Sequence, residues 1–138
     1  MRKIYANQYY DLFYDDKVSL LKFFFKEETK NYTSSIMKRE ATRFRDYVYK
    51  LKCTYLIIDI TNYKYKLSEE ETTWIASLFT ERYARKVAVI CDENDLVVKL
   101  NTSMVLEQIN DLQGKVRFFD TYDEAMQWIG KDYLYNSN

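Results

Sequence analysis

Three aspartates stand where acid chemistry would need them. Asp59, Asp92 and Asp120 each follow a short apolar run, in YLIID, VAVICD and VRFFD. If those runs are parallel strands, the three acids share the edge at the strands' carboxyl ends, where open α/β sheets bind ligands. With Thr61, Asn62 and Asn94 they form a polar rim, and three carboxylates suffice for a hard cation such as Mg2+. Acids and asparagines at strand exits more commonly begin turns and cap helices. Paired-carboxylate catalysis needs unequal environments, which residue types alone do not display. No catalytic set, metal ligand set or cofactor is therefore assigned.

Ser68 and Glu71 have the spacing of a capping box, in which the serine oxygen accepts from a backbone N–H and the glutamate reaches back. Glu69, Glu70 and Glu71 complement the positive end of the same helix. Capping accounts for this pattern, although a phosphate on Ser68 would profit from the same helix end. Thr121 and Glu124 repeat the spacing. The alternation Tyr63-Lys64-Tyr65-Lys66 puts both aromatics on one face of an extended segment. Aromatics with lysines can stack on single-stranded nucleic acid. A packing edge is the preferred reading, because Lys plus Arg and Asp plus Glu balance at 21 each and a nucleic-acid binder needs a basic surplus or face.

Absences exclude whole classes of chemistry. Without histidine, Ser-His-Asp and Cys-His catalysis and histidine-containing zinc sites are ruled out within the chain. Two glycines, Gly114 and Gly130, cannot form glycine-rich phosphate loops or nucleophile elbows. Cys53 and Cys91 flank apolar runs and read as small buried residues of a reducing compartment. No signal-peptide pattern and no apolar run long enough to span a membrane is visible, so a cytoplasmic protein is expected.

The elements that must position these groups follow from periodicity. Residues 4–14 and 18–25, separated by Asp15-Asp16-Lys17, read as a hairpin of two aromatic-rich strands. Met37, Ala41, Phe44, Val48 and Leu51 mark an amphipathic helix over 33–51, with basic residues around its other side. Residues 55–60 and 86–91 suit strands buried on both faces. Ser68 opens a helix with Trp74, Ile75, Leu78 and Phe79 on its apolar side. A helical region over 94–112, with room for a break near Thr102–Ser103, is stopped by Gly114. A strand at 116–119 and a helix over 121–129, ended by Gly130, complete the chain, leaving 131–138 as a loose tail. The order β-β-α-β-α-β-α-β-α predicts an α/β fold in which helices cover a mixed, mainly parallel five-stranded sheet with an N-terminal hairpin and about four helices. The 138 residues suit a single domain, over 1–130.

The segments YLIIDITNYKYKLSEEETTW (55–74), RKVAVICDENDL (85–96) and VRFFDTYDEAMQWI (116–129) resemble the SpoIIAA-like, or STAS-like, small α/β domains of bacteria. That resemblance implies a β-α superhelix and a non-enzymatic regulatory module that binds a protein partner. The family's phospho-switch segment, Asp-Ser-Ser-Gly, falls on Leu67-Ser68-Glu69-Glu70, where only the first serine is matched. A one-residue slip would place Ser68 on the phosphosite. The expected partner or self-association contacts are Tyr63, Tyr65, Ser68 and Glu69. The alternative is a carrier of an apolar small ligand such as a lipid, since two strands as aromatic as YYDLFY and LLKFFF leave surface that could line a pocket. A metal-dependent enzyme using Asp59, Asp92 and Asp120 is the third reading.

Overall fold

The computed structural model describes residues 1–79, 84–109, 112 and 115–136, the last three through their backbone. Its strands are β1 (Arg2–Ala6), β2 (Tyr10–Asp15), β3 (Leu20–Phe25), β4 (Tyr55–Asp59), β5 (Lys86–Ile90) and β6 (Val116–Phe119). Its helices are α1 (Ser34–Leu51), α2 (Glu69–Ser77), α3 (Leu96–Glu107) and α4 (Tyr122–Asn136). The fold is α/β, and the strands lie in the sheet in chain order, β1 to β6. The pairs β1–β2 and β2–β3 are antiparallel, while β3–β4, β4–β5 and β5–β6 are parallel.

Two details of the expected sheet are corrected. There are six strands among the described residues rather than five, and with two antiparallel junctions the sheet is more evenly mixed than mainly parallel. The extra strand arises at Asn7. Its side-chain oxygen accepts from the N–H groups of Tyr9 (2.8 Å) and Tyr10 (3.0 Å), which turns the chain in the middle of the segment expected to be one strand. The next turn contains no glycine. Ser19 takes the left-handed conformation there (φ 58°).

Chain-order parallel strands with crossovers of one hand put the connecting helices on one side. Accordingly α1, α2 and α3 cover one face through Met37, Val48, Ala76 and Val105, against Leu21, Phe23, Leu56, Val87 and Val89. The last helix has no strand to return to, and it covers the other face, where Ala125 and Ile129 meet Leu20, Tyr55, Ile57, Ala88 and Ile90. Strands β4 and β5 are thus buried on both faces, which explains their unbroken apolar runs.

The apolar stripe of α1 packs as expected. Thr33 caps that helix by accepting from the Ile36 N–H. The possible break in α3 is absent, because the Thr102 hydroxyl donates to the Val98 carbonyl (2.9 Å) without interrupting the helix. The expected stop at Gly114 lies outside the described residues.

The helix expected to end at Gly130 continues to Asn136, so 131–136 is not a loose tail. A helical glycine costs about 1 kcal/mol relative to alanine. Here Gly130 is buried, directly after Ile129, which packs on the sheet. Beyond it, Tyr133 packs on the ring of Tyr55 (6.1 Å). Asp132 pairs with Lys86 (2.9 Å) and accepts from the Tyr55 hydroxyl (3.2 Å). No helix among the described residues is long and apolar enough to cross a membrane.

Candidate functional site

At the carboxyl ends of the parallel strands the acids behave as turn formers. Asp59 accepts from the Thr61 N–H (2.9 Å) and Asp92 from the Asn94 N–H (2.9 Å). Asp95 caps α3 by accepting from the Val98 N–H (3.3 Å). The sheet register brings Asp59, Asp92 and Asp120 around buried Cys91. Burial raises the Cys91 thiol most, Lys99 opposes this, and Asp120, Asp92 and Asp59 raise it further. Among the described residues, however, no three His, Cys, Asp or Glu side chains converge closely enough to hold a metal ion. Thr61, Asn62 and Asn94 are exposed. Cys53, the other free thiol, is buried as well, and burial pushes it up to about 12. A thiol held there is protonated and unreactive.

The segment from Tyr63 to Leu67 is where expectation and structure differ most. Tyr63 and Tyr65 do share a face, but that face is turned inward. Tyr63 is 7% exposed, with its ring on Phe25 (4.6 Å) and Tyr32 (6.3 Å). Tyr65 is half-buried, packs on Tyr32 (5.7 Å) and donates to Glu71 (2.7 Å). Burial and that carboxylate push the Tyr65 phenol up to about 12. Neither ring is the exposed contact it was expected to be. Two backbone hydrogen bonds pin the segment down: the Lys64 N–H donates to Thr29 Oγ1 (2.9 Å), and the Leu67 N–H to Asn101 Oδ1 (3.0 Å).

Ser68 and Glu71 form both halves of the capping box: Glu71 N–H to Ser68 Oγ (3.1 Å), and Ser68 N–H to Glu71 (2.9 Å). Ser68 and Glu69 are exposed. Ser68→Ala removes one half of the box and is expected to cost about 1 kcal/mol, read from the urea midpoint. Burial raises the Glu71 carboxyl, but the hydrogen bonds from Ser68, Tyr65 and Ser34 outweigh it and leave it below its ordinary value. The Lys86 hydrogen bond likewise lowers Asp132. A carboxyl depressed in the folded state contributes stability that is complete above its unfolded pKa, about 4. That stability is lost as pH falls through the folded value. Thermal midpoints are therefore expected to drop below about pH 4, and Asp132→Asn should flatten that drop.

Between α1, α2, α3 and the sheet lies a cavity of about 180 Å3. Phe23, Phe44, Val48, Leu56, Ile75 and Val105 are among the side chains that line it. Its volume exceeds the about 150 Å3 at which an apolar protein cavity accepts benzene. The inward-facing Tyr63, with Phe25 and Tyr32, borders it. Ile75, Phe79, Ala84, Ile109 and Leu112 are lining residues that stay half-exposed.

Polar groups on this lining are few. Glu40 is 3% exposed and is held by Asn7 Nδ2 (3.1 Å), the Tyr10 hydroxyl (3.1 Å) and Arg43 (2.8 Å). Burial, and then Glu40, raise the Tyr10 phenol far above its ordinary value. Asn101 is 8% exposed, and Lys115 is half-buried. On the opposite face of the sheet, Lys22 is buried with its ammonium against the Tyr122 hydroxyl and 4.6 Å from the ring centroid. Burial lowers its pKa, against the pull of Asp15.

None of these four residues was singled out from the sequence. Glu40 and Asn101 carried a usable signal, since each interrupts an apolar stripe at helical spacing, Met37–Glu40–Phe44 and Val98–Asn101–Val105. No protein-family model, curated protein or solved structure matches the chain.

Proposed function

We propose that this chain is a binding domain for a small apolar molecule, built on a STAS-like β-α superhelix and without catalytic chemistry of its own. The observation that carries this reading is the cavity of about 180 Å3 beneath α1–α3, lined almost wholly by aromatic and aliphatic side chains. Interiors normally pack with few voids larger than a water molecule. A concave space lined by apolar side chains with a few placed polar groups is the usual form of a small-molecule site. The chain-order sheet, with three successive helices on one face, supports the superhelix. Native mass spectrometry of the chain purified under mild conditions tests the reading: a stoichiometric apolar adduct that leaves on gentle activation is expected. Protein that stays free of adduct after incubation with excess fatty acids, terpenoids and aromatic hydrocarbons would contradict it.

A second reading, self-association, is favoured by a different observation. Leu96, Val97 and Leu100 are 71%, 51% and 61% exposed on α3. Asn101, next to Leu100, binds the backbone just before Ser68, so this apolar strip adjoins the exposed Ser68–Glu69 corner. The partner contact first expected at Tyr63 and Tyr65 moves to this strip. Sedimentation velocity is expected to show concentration-dependent association that Leu100→Lys abolishes while the thermal midpoint stays within about 2 °C, as for surface substitutions generally. A monomer at every concentration before substitution would remove the reading.

A further inference from the structure

The lining of the cavity contains a donor with no protein acceptor among the described residues. Asn101 is 8% exposed on the buried side of α3 and lines the cavity. The Leu67 N–H donates to one of its side-chain atoms at 3.0 Å, which identifies that atom as the oxygen. Nδ2 is left with two N–H groups and no hydrogen-bond partner among the described residues. The hydroxyl of Tyr63, 7% exposed on the same lining, has no partner there either. A donor that faces cavity space without a protein acceptor is completed there by water or by an acceptor on a ligand. The carboxylate of Glu40 is no candidate, because Asn7, Tyr10 and Arg43 already occupy it.

We propose that the cavity selects an uncharged molecule with an aromatic-sized apolar body and one carbonyl oxygen, which accepts from Asn101 Nδ2. This rests on the cavity reading above. The body would lie among Phe23, Phe25 and Phe44, whose rings already meet edge to face at 4.3 Å and 4.6 Å, a geometry that accepts a further ring. An anion is disfavoured at this end, since Glu40 is the charged group on the buried lining. Lys115 precedes β6 at the amino ends of the parallel strands, whereas Leu67 lies beyond the carboxyl end of β4. The lysine and Asn101 therefore serve opposite sides of the cavity.

Calorimetric titration of the full chain with three molecules of near-equal shape tests the proposal: acetophenone, isopropylbenzene and benzoate. The ketone is expected to bind about tenfold more tightly than the hydrocarbon, the worth of one neutral hydrogen bond, and benzoate most weakly. The bound ketone's carbonyl stretch should shift to lower frequency. Asn101→Leu should drop the ketone below the hydrocarbon in affinity, because its carbonyl is then buried without a donor, and should return the stretch to its position in hydrocarbon solvent. Equal affinity for ketone and hydrocarbon in the unmodified chain would overturn the proposal while leaving the cavity reading intact. Tightest binding by benzoate would overturn it in favour of recognition at Lys115. Binding of none of the three would overturn both. The ligand series on the unmodified chain decides the matter even where the variant does not fold.

Discussion

Glu40→Ala is expected to lower the free energy of unfolding by about 3 kcal/mol, read as a shift of the urea midpoint at constant slope. The carboxylate is 2% exposed and collects the Asn7 amide, the Tyr10 hydroxyl and the Arg43 guanidinium. Removing it strands the Tyr10 hydroxyl in the interior, and an unpaired buried group costs more than the lost bond itself. Breaking a buried ion pair typically costs 3–5 kcal/mol. Arg43 has 36% of its side chain in water and can be re-solvated, which places the effect at the lower end. The same substitution unties Asn7, whose side chain makes the turn that separates β1 from β2. Amide exchange in β1 should therefore accelerate more than exchange in β5. Asp46→Ala is the control. Its pair with Arg45 lies at the surface, with the aspartate side chain 65% exposed, and such pairs are worth at most about 1 kcal/mol.

Val105→Phe is expected to abolish binding of apolar ligands, by at least about a hundredfold, without the loss of stability that a larger core side chain normally brings. Val105 is 9% exposed and lines the cavity from α3. In a filled core this enlargement costs about 1–3 kcal/mol, because neighbouring side chains are forced from their rotamers. Here the added ring enters space already present beside Phe44 and Leu56. It gains dispersion contacts there, so the thermal midpoint of the ligand-free chain should hold or rise. A midpoint lowered by several degrees would mean that the volume is not available to a side chain or a ligand.

Much of the scaffold is legible in the residues, for reasons that are local. The stripe from Met37 to Leu51 specifies a helix face because i, i+3 and i+4 positions coincide in space. The continuous runs at β4 and β5 specify strands with helices on both sides. The Ser68 box is read from four residues and formed by the same four. Where a competing signal acts at longer range, the local reading fails. Asn7 divides an aromatic run through its own side-chain turn. Gly130 would normally end a helix, but Ala125, Ile129 and Tyr133 continue one face across it, and Asp132 anchors the far side to Lys86.

The site was harder to see. Alternation at Tyr63–Lys66 shows which residues share a face, but not which face points inward; that depends on Thr29 and Asn101, each more than thirty residues away. A cavity leaves no pattern either, because a lining phenylalanine and a close-packed one have the same hydropathy. Only the breaks in the apolar stripes, at Glu40 and Asn101, point to it.

The central claim is that the space beneath α1–α3 is a ligand site. Its most direct test is a titration with isopropylbenzene followed by methyl NMR. The expected result is saturable, one-to-one shifts at Val48, Leu56, Ile75 and Val105, with Ile57 and Ile129 on the opposite face unmoved, and loss of the response in Val105→Phe. Shifts that fail to saturate, or that spread equally over both faces of the sheet, would contradict it.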